Sequence, residues 1–268
     1  MGRARRSREA ERTADGAGRV VVGYCHPTEV SAFFHESLLG LVVYDINHNQ
    51  RVVNGGGRIE RYSSANITNS RNGIVRSFLD DTAAEWLWMV DADMKFEPDL
   101  VDRLVDAAID HGAPIVGGLC FGVDDGNLFA TLYQMVQEEG DKYPHMVRYN
   151  DWPADEMFEV TATGAACLLI HRTVLEAMRE KYPDPYPWFQ ETVLGDGPMG
   201  EDVTFCVRAR LLDFPVFVHT GIEVGHAKTQ ILTLDMYRKQ RALEAMHGTR
   251  DHGAGEGSPE HPYGYDIV

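Results

Sequence analysis

Cysteine is scarce in this chain of 268 residues, which has only four, widely separated and mostly within apolar runs. So few cysteines exclude a small domain stabilised by disulfide bonds, and their wide spacing excludes a zinc finger. We therefore expect four buried, unpaired thiols, as in the proteins of a reducing compartment. The four positions are Cys25, Cys120, Cys167 and Cys206.

Long hydrophobic runs are missing as well. A membrane-spanning helix needs about 18 consecutive apolar residues, and the best candidate, residues 33–44, contains His35 and Glu36. The N-terminal arginines are not followed by the apolar stretch of a secretory signal. We therefore predict a cytoplasmic protein without a membrane span.

Basic residues are outnumbered, because 25 Lys and Arg face 41 Asp and Glu and leave a net charge of −16. An acidic surface repels polyanions and disfavours a module that binds nucleic acid. The first 18 residues differ, since they contain five arginines and three acids. We predict a disordered basic leader over residues 1–18, one domain over 19–248 and a flexible tail over 249–268.

The hydrophobic pattern of the first half alternates between strand and helix. Apolar and β-branched runs predict strands at 19–25, 86–90 and 114–118, with a weaker strand at 51–54. Apolar residues at helical spacing begin near positions 29, 67 and 98. This order predicts an α/β fold with a central, mostly parallel sheet, helices on both faces and ligands outside the carboxyl ends of the strands.

The second half is less regular and predicts a mixed sheet. Helices are expected from about residue 173, from residue 200 and over 232–247. The predicted strands are 128–136, 146–149, 158–161, 165–171 and 216–219.

Two acids stand where a buried strand reaches solvent. The run that begins at Trp86 ends in Asp91-Ala92-Asp93, and residues two apart on an extended chain point to the same side. Paired carboxylates suit a hard divalent cation that also binds phosphates. A helix cap or a solvated turn is the alternative interpretation.

Three further features carry candidate chemistry. Glu201 and Asp202 open a predicted helix, and His226 follows the last predicted strand. The proline- and aromatic-rich segment 182–189, which contains Trp188, predicts an ordered loop. That loop either packs on the core or forms a stacking wall for a sugar or an acceptor.

Together these features resemble the nucleotide-sugar glycosyltransferases of the GT-A fold, especially the small family 2-like enzymes of bacteria and phages. The resemblance extends from about Val20 to His226 and implies a Rossmann-like sandwich, with a nucleotide-binding half over 19–120 and an acceptor and metal half over 121–248. The matching segments are Val22 to Thr28, Ser70-Arg71-Asn72, Met89 to Met94, Thr163 to Ile170, Gly200-Glu201-Asp202-Val203 and Val224-Gly225-His226.

The resemblance also implies roles for individual residues. Asp93 and His226, together with Asp91, would bind Mn²⁺ or Mg²⁺, and Asp202 would accept the proton of the acceptor hydroxyl, with Glu201 as the alternative base. Apart from the resemblance, the stacking-wall interpretation of the aromatic loop makes Trp188 the candidate contact to the acceptor. The implied donor is a nucleotide-diphosphate sugar, with a UDP-sugar expected, and the acceptor is a protein, a glycan, a lipid-linked sugar or a modified nucleobase. The implied donor contacts are Pro27, Thr28, Arg71, Asp91, Ala92 and Gly164.

Two other functions and one other pairing remain open at this point. Haloacid-dehalogenase-like phosphatases also end a hydrophobic strand in Asp-x-Asp, and Asp91 would then be the nucleophile. A non-catalytic nucleotide-sugar-binding protein would share the donor site without turnover. Arg71 would alternatively pair on the surface with Asp80, Asp81 or Glu85.

Overall fold

The most apolar segments of the sequence become the inner strands of a mixed sheet. The structure is a computed structural model that describes residues 18–62, 66–124, 126–194, 197–228, 234, 237–239 and 241–242. Its strands are β1 (Val20–His26), β2 (Arg58–Tyr62), β3 (Trp86–Asp91), β4 (Met94–Lys95), β5 (Ile115–Asp124), β6 (Asn127–Ala130), β7 (Leu132–Val136), β8 (His145–Arg148), β9 (Met157–Val160), β10 (Ala162–Thr163), β11 (Cys167–His171), β12 (Thr192–Leu194), β13 (Gly197–Met199) and β14 (Val216–His226).

Nine strands within the described ranges form the central sheet, in the order β2-β1-β3-β11-β5-β14-β4, with β6 beside β5 and β9 beside β14. β1 pairs in parallel with β2 and β3, and β14 pairs in parallel with β5. Because β11 is antiparallel to both β3 and β5, the strands β2, β1, β3, β5 and β14 all run in one direction. The α/β class and the mixed central sheet are therefore confirmed.

Helices cover both faces of this sheet, as expected for a sandwich. Alternation along β1 sends Val21 and Cys25 into one core cluster and Val20, Val22 and Tyr24 into the other. The first cluster contains apolar residues of α2, α4 and α5, and the second contains those of α1 and α3. The helices are α1 (Ala32–Asn47), α2 (Ile67–Asp81), α3 (Leu100–His111), α4 (Arg172–Lys181) and α5 (Glu201–Arg210).

Side-chain caps fix where α1 and α2 begin. The Ser31 hydroxyl accepts a hydrogen bond from the Phe34 amide at 3.3 Å, and the Asn66 side chain accepts one from the Asn69 amide at 2.9 Å. Each cap pairs one of the amides that a helix leaves without an internal partner in its first turn. The helix starts thus follow from local sequence.

The weak strand expected at 51–54 is wrong, because this segment is a turn. Both carboxylate oxygens of buried Asp45 accept backbone hydrogen bonds there, from Val52 at 3.1 Å and from Val53 at 2.8 Å. The strand that pairs with β1 comes after the glycines, as β2. The hydrogen bonds accepted by Asp45 thus outweigh the strand preference of Val52 and Val53.

The last strand is longer than predicted. β14 continues from Val216 to His226, with a shift of register against β5 between His219 and Glu223. His226 therefore lies at the end of a strand and not in a loop beyond it. The segment predicted as one strand over 128–136 is two strands, β6 and β7.

All four cysteines are buried and none of them forms a disulfide bond, as the sequence predicts. Among the described helices, not one combines the length and the apolar character required to cross a membrane. The compact unit Met1–Ala227 contains the sheet, and Lys228–Val268 form a second unit. In that second unit residues 234, 237–239 and 241–242 are helical, while the rest of the predicted helix 232–247 lies outside the described residues, as do the leader up to residue 17 and the tail.

Candidate active site

The two acids after β3 lie on a turn whose backbone is held from both sides. The Asp91 amide donates to the Ala166 carbonyl at 3.2 Å, and the Ala92 carbonyl accepts from the Ser31 amide at 3.1 Å. Ala92 is itself buried. The chain then turns back on itself through Asp93 into the short strand β4. The two carboxylates consequently point to different partners.

Pairing of β4 with the end of β14 brings Asp93 to His226. Met94 lies opposite His226 in the antiparallel register, and the Ala227 amide donates to the Asp93 carbonyl at 2.8 Å. As a result, the Asp93 Oδ2 and His226 Nε2 atoms are 3.1 Å apart, although 133 residues separate them in sequence. Both side chains are only partly exposed.

A backbone carbonyl orients the His226 ring. Its Nδ1 lies 2.8 Å from the Phe121 carbonyl oxygen, and because a carbonyl only accepts, Nδ1 carries the hydrogen. The other nitrogen, Nε2, then faces the Asp93 carboxylate. A histidine that donates one ring N–H to a backbone carbonyl and presents its other nitrogen is the usual arrangement of a metal-binding histidine.

Asp91 does not join this pair. Over the part of the chain that the structure describes, no three His, Cys, Asp or Glu side chains lie close enough to bind one metal ion together. The Asp91 carboxylate faces Arg71, whose Nη2 lies 2.8 Å from its Oδ1. The geometry therefore supplies two candidate metal ligands where the sequence predicted three.

Arg71 bridges two carboxylates that belong to different halves of the site. Besides Asp91, it contacts Glu201, with 2.5 Å between Nη1 and Oε1. The Arg71 side chain is only 5% exposed. Burial alone would lower its pKa, but the attraction of Asp91, Glu201 and Asp202 outweighs that and raises it. The structure thus rejects the surface pairing with Asp80, Asp81 or Glu85.

Asp202 is placed at the first turn of α5, next to Glu201. One carboxylate oxygen accepts from the Val203 amide at 2.8 Å, and the other would lie 3.6 Å from a Cβ built on Gly164. Burial raises the pKa of Asp202, and attraction to Arg71 offsets this only in part. A carboxyl group with a raised pKa takes up a proton more readily, as a general base must.

The predicted donor contacts lie at the same edge of the sheet. Pro27 and Thr28 are exposed on the loop after β1, and the register of β1 with β3 places Cys25 opposite Asp91. Gly164 is buried, with its amide donating to the Thr131 carbonyl at 3.3 Å. Their proposed contacts with a donor remain predictions.

The predicted acceptor contact of Trp188 is wrong. Its side chain has no exposed surface, and its indole N–H donates to the Leu175 carbonyl at 2.8 Å. Asn72 fixes the same segment, because its amide donates to the Phe189 carbonyl at 2.7 Å and its oxygen accepts from the Trp188 amide at 3.3 Å. Of the two interpretations of this loop, packing on the core is the one realised.

Sequence reasoning missed three residues of the site. Phe121 orients His226 through its carbonyl, and Thr131 borders Gly164. Tyr133 lies close enough to Asp202 for that carboxylate to add to the effect of burial in raising the tyrosine pKa. Backbone carbonyls and a lone tyrosine on a strand have no local sequence signal that distinguishes them from ordinary packing.

Comparison with known proteins identifies both fold and family. The sequence profile described as Glycosyltransferase like family 2 matches residues 57–246. The crystal structure of A197 from STIV superposes with a TM-score of 0.51 at 18% identity, covering 79% of this chain and 86% of that one. The crystal structure of GalNAc-T7 with UDP, GalNAc and Mn²⁺ superposes with a TM-score of 0.50 at 11% identity, covering 78% of this chain and 43% of that one. No curated protein sequence matches. At these identities the structural likeness establishes the fold alone, and it confirms the expected GT-A fold.

Proposed function

This chain belongs to the glycosyltransferase-like family 2 and is a glycosyltransferase, and from that premise we propose that it uses a divalent cation to transfer a sugar from a nucleotide-diphosphate sugar to an acceptor hydroxyl. UDP is the nucleotide that we propose for the donor, since the GalNAc-T7 structure that shares the fold contains UDP and Mn²⁺. The observation that carries the proposal is the contact between Asp93 and His226.

The donor atoms of this pair fit a divalent cation of the Mn²⁺ or Mg²⁺ type. Adjacent ligands of an octahedral cation with bonds of about 2.1 Å lie about 3 Å apart, and the observed separation of Oδ2 and Nε2 is 3.1 Å. Such cations are commonly held by one or two protein ligands together with substrate phosphates. Two protein ligands therefore suffice when a diphosphate supplies others.

When bound, the cation would neutralise the charge that develops on the departing diphosphate. The protein's part is to hold Asp93 on the turn after β3 and His226 on the end of β14, so that both face one point. The Phe121 carbonyl keeps the Nε2 lone pair of His226 directed at that point. Preorganisation of this kind avoids rearrangement when the donor binds.

Asp202 is the proposed base. A helix N-terminus stabilises a carboxylate as an anion and weakens it as a base, but burial is the larger influence and the pKa of Asp202 is raised. Glu201 is less suited to the role, because its Oε1 is engaged by the Arg71 guanidinium at 2.5 Å. We propose that Asp202 accepts the hydroxyl proton of the acceptor as it attacks the sugar.

The neighbouring side chains and backbone are proposed to shape the donor site. Pro27 and Thr28 would border the nucleotide from the loop after β1, and Ala92 would do so from the turn after β3. Asp91 would contact the ribose. Gly164 would let the donor sugar approach closely, because a side chain at this position would contact Thr131 and the Asp202 carboxylate.

Neither alternative function is favoured by a contact. A phosphatase nucleophile would need a carboxylate free to attack phosphorus, whereas an ion pair with Arg71 engages Asp91. The match to a glycosyltransferase family favours turnover over donor binding alone.

The proposal is tested by thermal shift with UDP and UDP-sugars, each with and without MnCl₂. A ligand at 100 times its Kd stabilises the native state by about 2.7 kcal/mol and raises the melting temperature. The metal-dependent part of the shift should disappear in Asp93→Asn and in His226→Ala. It should persist in the control His35→Ala, which changes an exposed histidine of α1. An undiminished metal-dependent shift in His226→Ala would count against the metal assignment.

A further inference from the structure

Arg71 occupies a position between the two functional halves of the site. It extends from α2 to the end of β3, where it contacts Asp91, and to the start of α5, where it contacts Glu201. Glu201 is the residue adjacent to Asp202. One guanidinium therefore connects the acid at the donor edge with the helix that carries the proposed base.

The Arg71 guanidinium lies next to an aromatic ring in addition to its two carboxylate partners. The Arg71 Cζ atom lies 5.8 Å from the centroid of the Phe189 ring. That ring belongs to a segment fixed by Asn72, the next residue of α2, which bonds the Phe189 carbonyl at 2.7 Å. The planar fork of arginine presents separate nitrogens to separate carboxylates, which the single ammonium of lysine does not do. The bridge therefore combines two carboxylate contacts with a neighbouring aromatic ring.

Charge explains why such a bridge is needed. Asp91, Glu201 and Asp202 converge on one region and repel one another, and each of them raises the pKa of Arg71. Arg71 is the cation that two of them contact directly. Without it, Glu201 would move away from Asp91 towards solvent, and the first turn of α5 would lose its attachment to β3.

We propose, on the basis of the proposed function, that Arg71 is a positioning residue that sets the placement of the base helix relative to the donor edge, and not a contact to the nucleotide. A displacement of about 1 Å between reacting groups is enough to cost about 10²-fold in rate. Removal of Arg71 therefore lowers turnover more than it weakens nucleotide binding, which it affects only through Asp91. A nucleotide contact would behave differently, since its loss weakens binding of UDP directly.

The test compares Arg71→Met with Arg71→Lys and with the control Arg76→Met, which removes an exposed arginine from the same helix. Release of UDP from UDP-sugars measures turnover, and calorimetric titration with UDP and MnCl₂ measures affinity. Arg71→Met should lose about 30- to 100-fold in turnover, with a clearly smaller loss of affinity for UDP, since only the proposed ribose contact of Asp91 is affected. Arg71→Lys should retain an intermediate rate, because an ammonium holds one carboxylate at a time, and Arg76→Met should match the wild type.

A double-variant comparison isolates the bridge. Glu201→Gln should lower turnover less than Arg71→Met, and the double variant should be no slower than Arg71→Met alone, because both changes break the same contact. If Arg71→Met does not fold, Arg71→Lys replaces it in the same cycle. Multiplicative losses in the double variant, or a loss of UDP affinity as large as the loss of turnover, overturn the positioning role and leave the proposed function intact. A wild-type protein that neither binds UDP with MnCl₂ nor releases it from UDP-sugars overturns both.

Discussion

Replacing Asp202 with Asn examines the proposed base with little change of shape. In the wild type the Asp202 carboxylate accepts a hydrogen bond from the Val203 amide at 2.8 Å. The Asn side chain keeps an oxygen that can accept this bond and fills the same space beside Gly164. It loses the ability to take up a proton. Positioned base catalysis contributes about 10²–10⁴-fold, so turnover should fall by at least about two decades, which corresponds to about 2.7 kcal/mol in the activation barrier.

The same substitution should stabilise the fold at neutral pH. Burial raises the pKa of Asp202 above its ordinary value of 3.8, so between the unfolded and the folded pKa the native state binds more protons than the unfolded state. In that window the free energy of unfolding decreases as the pH rises, and above it the full penalty applies. Asn has no such penalty. Asp202→Asn should therefore melt at a higher temperature than the wild type at about pH 7, and the difference should vanish below the unfolded pKa.

The pH dependence of the wild-type rate follows from the same shift. The base works only when deprotonated, so turnover should fall on acidification through the folded pKa of Asp202, at a higher pH than for an ordinary aspartate. When the environment of a catalytic group costs stability, removing the group is expected to lower the activity and to raise the stability.

The assays are UDP release from UDP-sugars, calorimetric titration with UDP and MnCl₂, and thermal unfolding across pH. The control is Asp110→Asn, which changes an exposed acid near the end of α3. Turnover of Asp202→Asn within about threefold of the wild type would refute the assignment of the base. A melting temperature below that of the wild type at neutral pH would refute the electrostatic reasoning.

Three further substitutions test the surroundings of Gly164, Gly23 and Trp188. A Cβ on Gly164 would lie 3.4 Å from Thr131 Cβ and 3.6 Å from Asp202 Oδ2. Gly164→Ala should therefore fold normally but lose about 10- to 100-fold in UDP release, because the methyl group obstructs the base. Gly23→Ala places a Cβ 2.6 Å from Ile74 Cγ2 and should instead lower the free energy of unfolding in urea by about 1–3 kcal/mol. Trp188→Phe should lower the free energy of unfolding by about 1–3 kcal/mol, because the hydrogen bond to Leu175 and part of the side-chain volume are lost. UDP release should be unchanged. A lower rate of UDP release with unchanged stability would contradict the place of Trp188 in the core.

Local sequence pattern was sufficient for much of the fold. The apolar runs that become β1, β3 and β5, and the amphipathic spacing of α2 and α3, predict their elements because periodicity records which side of a segment faces the core. The position of Asp91 and Asp93 after a buried strand follows from the same pattern. The turn at 51–54 was mispredicted, since its backbone donors are satisfied by Asp45, which no local pattern connects with them.

The sequence alone therefore specifies the α/β class, the strand that ends in two acids and the helix that opens with Glu201 and Asp202. Only the tertiary structure separates Asp91 from Asp93 by giving each a different partner, joins Asp93 to His226 and places Trp188 in the core. The family resemblance had suggested the Asp93 and His226 pair, and the antiparallel pairing of β4 with β14 produces it. The physical reason is that local periodicity reports solvent exposure within one segment, whereas the partners of a side chain depend on which strands pair across the whole sheet.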